Sequence, residues 1–286
     1  VKILLVVWQI LAGFSSITGV EFPASYSMFL WLINVVNFDI GQTFWTSCIL
    51  PSVNFYARLL ATTLAPLVVV AGLVLTYQMA KRRAGIGSAG VIARRAAWSR
   101  HAATGLLLTF LVYTSASTLV FQTFACDDAV EDGNSYLRAD YSLSCESSLH
   151  TFFKRYAMFM ILVYPIGIPV LYAVILWRKR ELLNPQIRTI AMPDPDGTDE
   201  TATRADSAEG KRVTARREHP GLTPFMFLWQ DYGPDVFYFE VIECGRRLLL
   251  TGVLVFIAPN SSTQVASACV FAFGSLLGFE LMRPHL

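Results

Sequence analysis

Apolar runs near the length of a bilayer span recur along the chain, at about 3–20, 56–79, 102–124, 156–177, 236–258 and 263–282. About twenty apolar residues at a rise of 1.5 Å each reach across about 30 Å of hydrocarbon. The residues come as whole runs rather than as amphipathic stripes, which predicts membrane-spanning helices rather than the surface helices of a soluble core. The expected fold class is therefore all-α, a polytopic membrane helix bundle. It should contain about six transmembrane helices in one transmembrane domain over 1–286. A further apolar stretch, 26–38, is too short to span and reads as an interfacial or re-entrant helix.

Polar and helix-breaking positions interrupt this pattern in informative places. The first span is softened by Gln9, Ser15, Ser16 and Thr18, and the second contains Pro66. The fourth contains YPIGIP, where Pro165, Gly167 and Pro169 predict a kink or local unwinding, a hinge within the span. Residues 181–220 change to Pro, Asp, Thr, Ala, Glu and Arg and lack the apolar mass to order themselves. They read as a disordered cytoplasmic loop, a solvated linker or a regulatory tail. The aromatic stretch 222–235 leads into the fifth span from the interface.

That fifth span carries Glu240, Glu243, Arg246 and Arg247 in its first half. Charge at the centre of a span costs at least about 2.5–3.5 kcal/mol, so such residues usually have partners or line a wet cavity. Glu243 is three and four residues from Arg246 and Arg247, on a shared helical face; Glu240 has neither arginine at that spacing. Two readings stand. The charges form a snorkelling collar at the membrane surface, or they form an intramembrane polar cluster belonging to a permeation or gating site. About a dozen apolar residues follow Arg247, too few to span the hydrocarbon alone, so either the arginines lie inside the inner leaflet or the bilayer thins.

Composition agrees with the pattern. Of 286 residues 54% are hydrophobic and 15% charged, and the mean hydropathy is +0.47, against roughly a quarter charged in soluble domains. Basic clusters are short and flank apolar spans, so nucleic acid is excluded as a partner. The chain opens on Val1 and reads as the membrane part of a longer protein. The loop 81–100 holds Lys81, Arg82, Arg83, Arg94, Arg95 and Arg100 without an acid, and Arg178, Lys179 and Arg180 close the fourth span. Placing both basic segments inside puts the acidic loop 125–153 on the extracellular or lumenal face and both ends in the cytoplasm. Lys154 and Arg155 count weakly against this. The membrane is the plasma membrane or an endomembrane.

Cys126 and Cys145 bracket the acidic loop on the oxidising side, where a disulfide is expected, although Cys48 lies on the same side and competes. Within that loop Asp127, Asp128, Glu131 and Asp132 are hard oxygen ligands without EF-hand spacing. They read as a solvated acidic loop or as a weak attractor of cations. Gly274 and Gly278 either have the spacing that lets helices approach closely or are lipid-facing or chance glycines, and a homo-oligomer is a separate expectation. No catalytic motif, zinc spacing or cofactor fingerprint is present, so the expectation is a protein that is not an enzyme and needs no cofactor or metal.

Several segments together carry a resemblance: KILLVVWQI, FDIGQTFWTSCILP, SYLRADYSLSC, MILVYPIGIPVLY and YFEVIECGRRLLLTGVLVF. They resemble the multipass region of the transient-receptor-potential-like C-terminal-domain family of protist, algal and fungal membrane proteins. In many relatives this region follows a Cys-rich ectodomain similar to that of ephrin receptors. The resemblance implies a polytopic membrane protein, a cation channel or a receptor. One departure is that only Pro259 to Ser262 join the last two spans, too short for a re-entrant pore loop. The leading expectation is a channel-like or transporter-like domain passing cations, with Glu240 and Glu243 as ligands or gating charges. Arg246 and Arg247 would favour their ionised form. The alternatives are a receptor or membrane anchor without conduction, and a lipid scramblase or lipid transporter.

Overall fold

The computed structural model describes residues 2, 4–7, 9–10, 54–85, 87–128, 134–185, 210–257 and 262–282. The described residues within 2–10 are helical (α1), and Gln9, polar in an apolar run, turns inward to donate to the Leu111 carbonyl at 3.0 Å. Helix α2, Phe55–Arg83, starts where the Asn54 side chain accepts from the Ala57 amide. It ends on Lys81, Arg82 and Arg83, which suit the negative end of the helix dipole. Only its first turns are buried; Val68 and Leu75 lie open, as a lipid-facing helix requires. The turn into α3, Ser88–Gln122, passes through Gly87 at φ +135°, a conformation that suits glycine and folds the two helices into a hairpin.

After α3 comes a small antiparallel sheet, β1 Cys126–Asp127, β2 Tyr136–Leu137 and β3 Asp140–Ser144, in the order β1-β2-β3. The all-α expectation did not contain it; the Cys126–Cys145 disulfide closes its two ends. Asp140 of β3 accepts from the Phe55 amide and so supplies a second cap to α2 from a distant part of the chain.

Helix α4, Ser148–Ile161, runs into a π-turn, Leu162–Ile166, and then α5, Gly167–Arg178. Pro165 has no amide to donate, and the wider turn absorbs it. The buried positions step 3 and 4 residues apart through His150, Phe153, Ala157 and Met160, then by 4 through Tyr164, Ile168, Tyr172 and Leu176. The extra residue of the π-turn thus keeps α5 on the buried face. A Cβ at Gly167 would lie 2.7 Å from the Leu162 carbonyl oxygen, so the turn depends on glycine there.

Residues 210–218, within the expected linker 181–220, form helix α6; residues 186–209 lie outside the described set. Arg216 of α6 is buried and donates to the carbonyls of Trp229 and Tyr232. Helix α7 is Phe239–Thr251 and α8 is Ser262–Met282.

Among the described residues four helical segments are long and apolar enough to cross a bilayer: Phe55–Arg83, Ser88–Gln122, Ser148–Arg178 and Thr263–Met282. They identify an integral membrane protein, but the six-helix count is not reproduced. The expected span 3–20 falls largely outside the described residues, and 26–38 entirely. The expected span 236–258 is instead α7 followed by a 3-10 turn, Val253–Phe256. Thirteen residues of α-helix reach only about 20 Å. The physical reason is its buried stripe of Glu240, Glu243, Cys244, Arg247, Leu250 and Thr251, which packs against α3 and α5 instead of meeting lipid.

Candidate functional site

Spacings of three and four along α7 place Glu240, Glu243, Cys244 and Arg247 on one inward face. Glu240 is fully buried, Arg247 is 1% exposed and Glu243 5%. These are charges that a protein interior holds only when paired. Arg246 grips Glu243 with both arms of its fork, Nε to Oε2 at 2.9 Å and Nη2 to Oε1 at 2.5 Å. Arg247 lies between the two carboxylates, 3.5 Å from Glu243 Oε1 and 3.6 Å from Glu240 Oε1. The arginine two turns along thus reaches the glutamate that spacing alone left unpaired.

The remaining partners come from elsewhere in the chain. Lys2 of α1 places its ammonium 2.5 Å from Glu240 Oε2 and donates to the Phe227 carbonyl at 3.0 Å, with Asp231 at 3.8 Å. The Tyr232 hydroxyl donates to the same Glu240 oxygen at 2.9 Å. Aromatic rings complete the enclosure. Phe227 and Tyr232 lie 4.6 and 5.2 Å from the Lys2 ammonium, and the ring of Phe110 lies 4.2 Å from the Arg247 guanidinium. Among the described residues, Lys2, Arg246 and Arg247 thus face Asp231, Glu240 and Glu243, three cations against three anions.

Sequence reasoning found the four charges of α7 but missed Lys2 and Tyr232. The available signal was a lone cation opening an apolar run. Glu240, Glu243 and Arg247 are buried inside the bundle rather than spread at its surface. Beside them lies a cavity of about 80 Å³, lined by Lys2, Tyr232, Glu243, Arg246 and Arg247 among others. It has room for two or three waters at about 30 Å³ each. Among the described residues, Arg247 nitrogens and Glu240 Oε1 are buried without a hydrogen-bonding protein partner.

The other expected site residues fall in two places. Pro165 sits in the π-turn, with Gly167 and Pro169 opening α5, the helix against which α7 packs. Tyr164 of the π-turn donates to the Thr63 carbonyl on α2, and Tyr113 of α3 to the Cys244 carbonyl on α7. The kinked span and the charged helix therefore share one core.

At the sheet end, Cys126 and Cys145 form the expected disulfide, with Cα atoms 6.4 Å apart; Cys48 lies outside the described residues. His150 lies against it, 3.7 Å from Cys126 Sγ, and bonds the Tyr56 hydroxyl at 2.9 Å. These two cysteines and His150 cluster within 4.8 Å, but the sulfurs are committed to each other. Asp127 accepts from the Tyr141 hydroxyl and Asp128 is exposed, whereas Glu131 and Asp132 lie outside the described residues.

Compared with protein-family models, with curated proteins and with solved structures, the chain matches none.

Proposed function

We propose that this chain is a channel-like or transporter-like membrane domain for cations, kept closed by its buried charge network. The observation that carries this reading is the environment of Glu240, a fully buried carboxylate held by Arg247 of its own helix and by Lys2 and Tyr232 from outside that helix. A buried ion pair adds little stability over an apolar pair and is often retained for a switching role. Releasing Lys2 would leave Glu240 held by Arg247 and Tyr232 alone, close to a cavity that Glu243 lines and to a span with a built-in π-turn. The resemblance to the transient-receptor-potential-like family supports the same class.

Proteoliposomes containing the purified chain test it with a cation-sensitive dye. Lys2→Gln is expected to raise cation flux by freeing Glu240, and Glu240→Gln to suppress it. Flux no greater than that of empty vesicles, in the wild type and in Lys2→Gln alike, would sink the proposal.

A second reading is a receptor or membrane anchor in which the network only locks the bundle. It is favoured by the cations that face both carboxylates and by the absence of Glu240 from the cavity wall. Under it, both substitutions lower stability and leave flux at background.

A further inference from the structure

A groove of about 310 Å³ opens sideways between α2 and α5, with α3 as its floor. That is within the size range of small-molecule sites. Val74 and Tyr77 form one wall, Leu171 and Ile175 the other, and Trp98 and Gly105 the base. Its surface is carbon, because the polar groups beside it are engaged elsewhere. His101 bonds the Ala97 carbonyl and the Thr76 hydroxyl, and Thr109 bonds the Leu106 carbonyl and the Tyr172 hydroxyl. A groove of carbon on a bilayer-spanning face calls for a hydrocarbon occupant.

The charges at one end say which. One helical turn beyond the groove, each of its three helices carries an exposed cation at the same-face spacing: Lys81 after Tyr77, Arg95 before Trp98 and Arg178 after Ile175. Side chains lean toward the helix N-terminus, so Lys81 and Arg178 lean back over the mouth, whereas Arg95 of antiparallel α3 leans outward to the headgroup level. No Asp or Glu occurs in 76–109 or in 162–180, and among the described residues no ion pair involves these three cations. The depth is also marked. Tyr77 and Trp98 meet edge to face at 5.5 Å, and exposed Trp177 lies under Arg180, as aromatic residues do at the headgroup level.

We infer that the groove binds one anionic glycerophospholipid from the leaflet at the basic end, an acyl chain between α2 and α5 and the net-negative headgroup at Lys81, Arg95 and Arg178. The inference rests on the membrane character of the chain and not on cation passage, so either can fail without the other. Basic pockets between spanning helices are known to hold acidic headgroups.

The test uses the whole chain in phosphatidylcholine nanodiscs doped with spin-labelled phosphatidylserine or spin-labelled phosphatidylcholine. A cation near an anionic lipid surface is worth roughly fivefold, and the serine lipid carries one more net negative charge than phosphatidylcholine, so the site should prefer it by at least about fivefold. The triple variant K81Q/R95Q/R178Q should lose that preference and still hold a neutral chain. Gly105→Leu should lose both lipids, since a Cβ at Gly105 meets nothing within 4 Å and the new side chain enters the groove without displacing backbone. Equal retention of the two lipids by the wild type, or serine-lipid binding unchanged in the triple variant, would overturn the inference. Efficient disulfide cross-linking of Gly105→Cys between copies would also overturn it, by placing a second copy in the groove.

Discussion

The ammonium of Lys2 lies 2.5 Å from Oε2 of Glu240, which is 238 positions further along the chain. Both side chains are at least largely enclosed, at 13% and 0% exposure, so the pair is little screened by solvent. Breaking a buried pair by removing one partner typically costs about 3–5 kcal/mol, because the other charge is left uncompensated. Glu240→Leu and Lys2→Met should each lower thermal stability in detergent by an amount in that range. The double variant should lose less than the sum, and a strictly additive double-mutant cycle would show that the pair is not coupled.

The π-turn gives a second prediction. Gly167→Ala places a methyl against the Leu162 carbonyl, where backbone has to shift, and overcrowding of this kind costs about 1–3 kcal/mol. The shift should move Ile168, Tyr172 and Leu176 off the buried face. Faster hydrogen exchange through 162–172 with the disulfide intact is the expected readout; unchanged exchange there would contradict the role given to this glycine.

A third prediction concerns acid. Burial pushes the Asp140 carboxyl up, but hydrogen bonds from the Ser142 hydroxyl and the Phe55 and Ser142 amides outweigh it and hold the group below its ordinary value. A depressed carboxyl contributes stability above its unfolded value of about 4 and loses it as pH falls through the lower folded value. The Phe55 amide should therefore exchange faster as pH drops below about 4, relative to its intrinsic rate. Asp140→Asn should show fast exchange at neutral pH and little further change. Asp235, held down first by its hydrogen bond from Arg212, should loosen the contact of α6 over the same interval.

Reduction of the Cys126–Cys145 bridge supplies a fourth. A bridge closing a loop with a sequence separation of 19 contributes about 3 kcal/mol by chain entropy. Cys126→Ser with Cys145→Ser should lower stability by about that much and release the sheet. The Asp140 cap on α2 would go with it, detectable as faster exchange at Phe55 without acidification. If the double variant exchanges there like the wild type, the cap is held by the strands alone.

Membrane character, the spans over α2, α3 and the kinked α4–α5 segment, and the bridged cysteines were legible because each rests on local information. A run of apolar residues long enough for a bilayer announces itself, and YPIGIP cannot continue a regular helix. The pairing Glu243–Arg246 was legible for the same reason, being one turn apart on one helix. The span expected at 236–258 was misjudged because hydropathy counts its leucines and valines without knowing which face they share with the charges. The small sheet was missed because its two- and five-residue strands carry no usable period.

By itself, then, the sequence determined an integral membrane protein with a kinked span over 156–177, an oxidised polar loop and an unusual cluster of charges on one helix. Only the tertiary structure decided that these charges are buried and neutralised, since burial and Coulomb attraction depend on distance in space. Lys2 and Tyr232 lie 238 and 8 positions from Glu240, and no helical spacing connects Lys2 to it. The fold brings α1, α7 and the turn around Phe227 together, and that convergence turns scattered charges into one network.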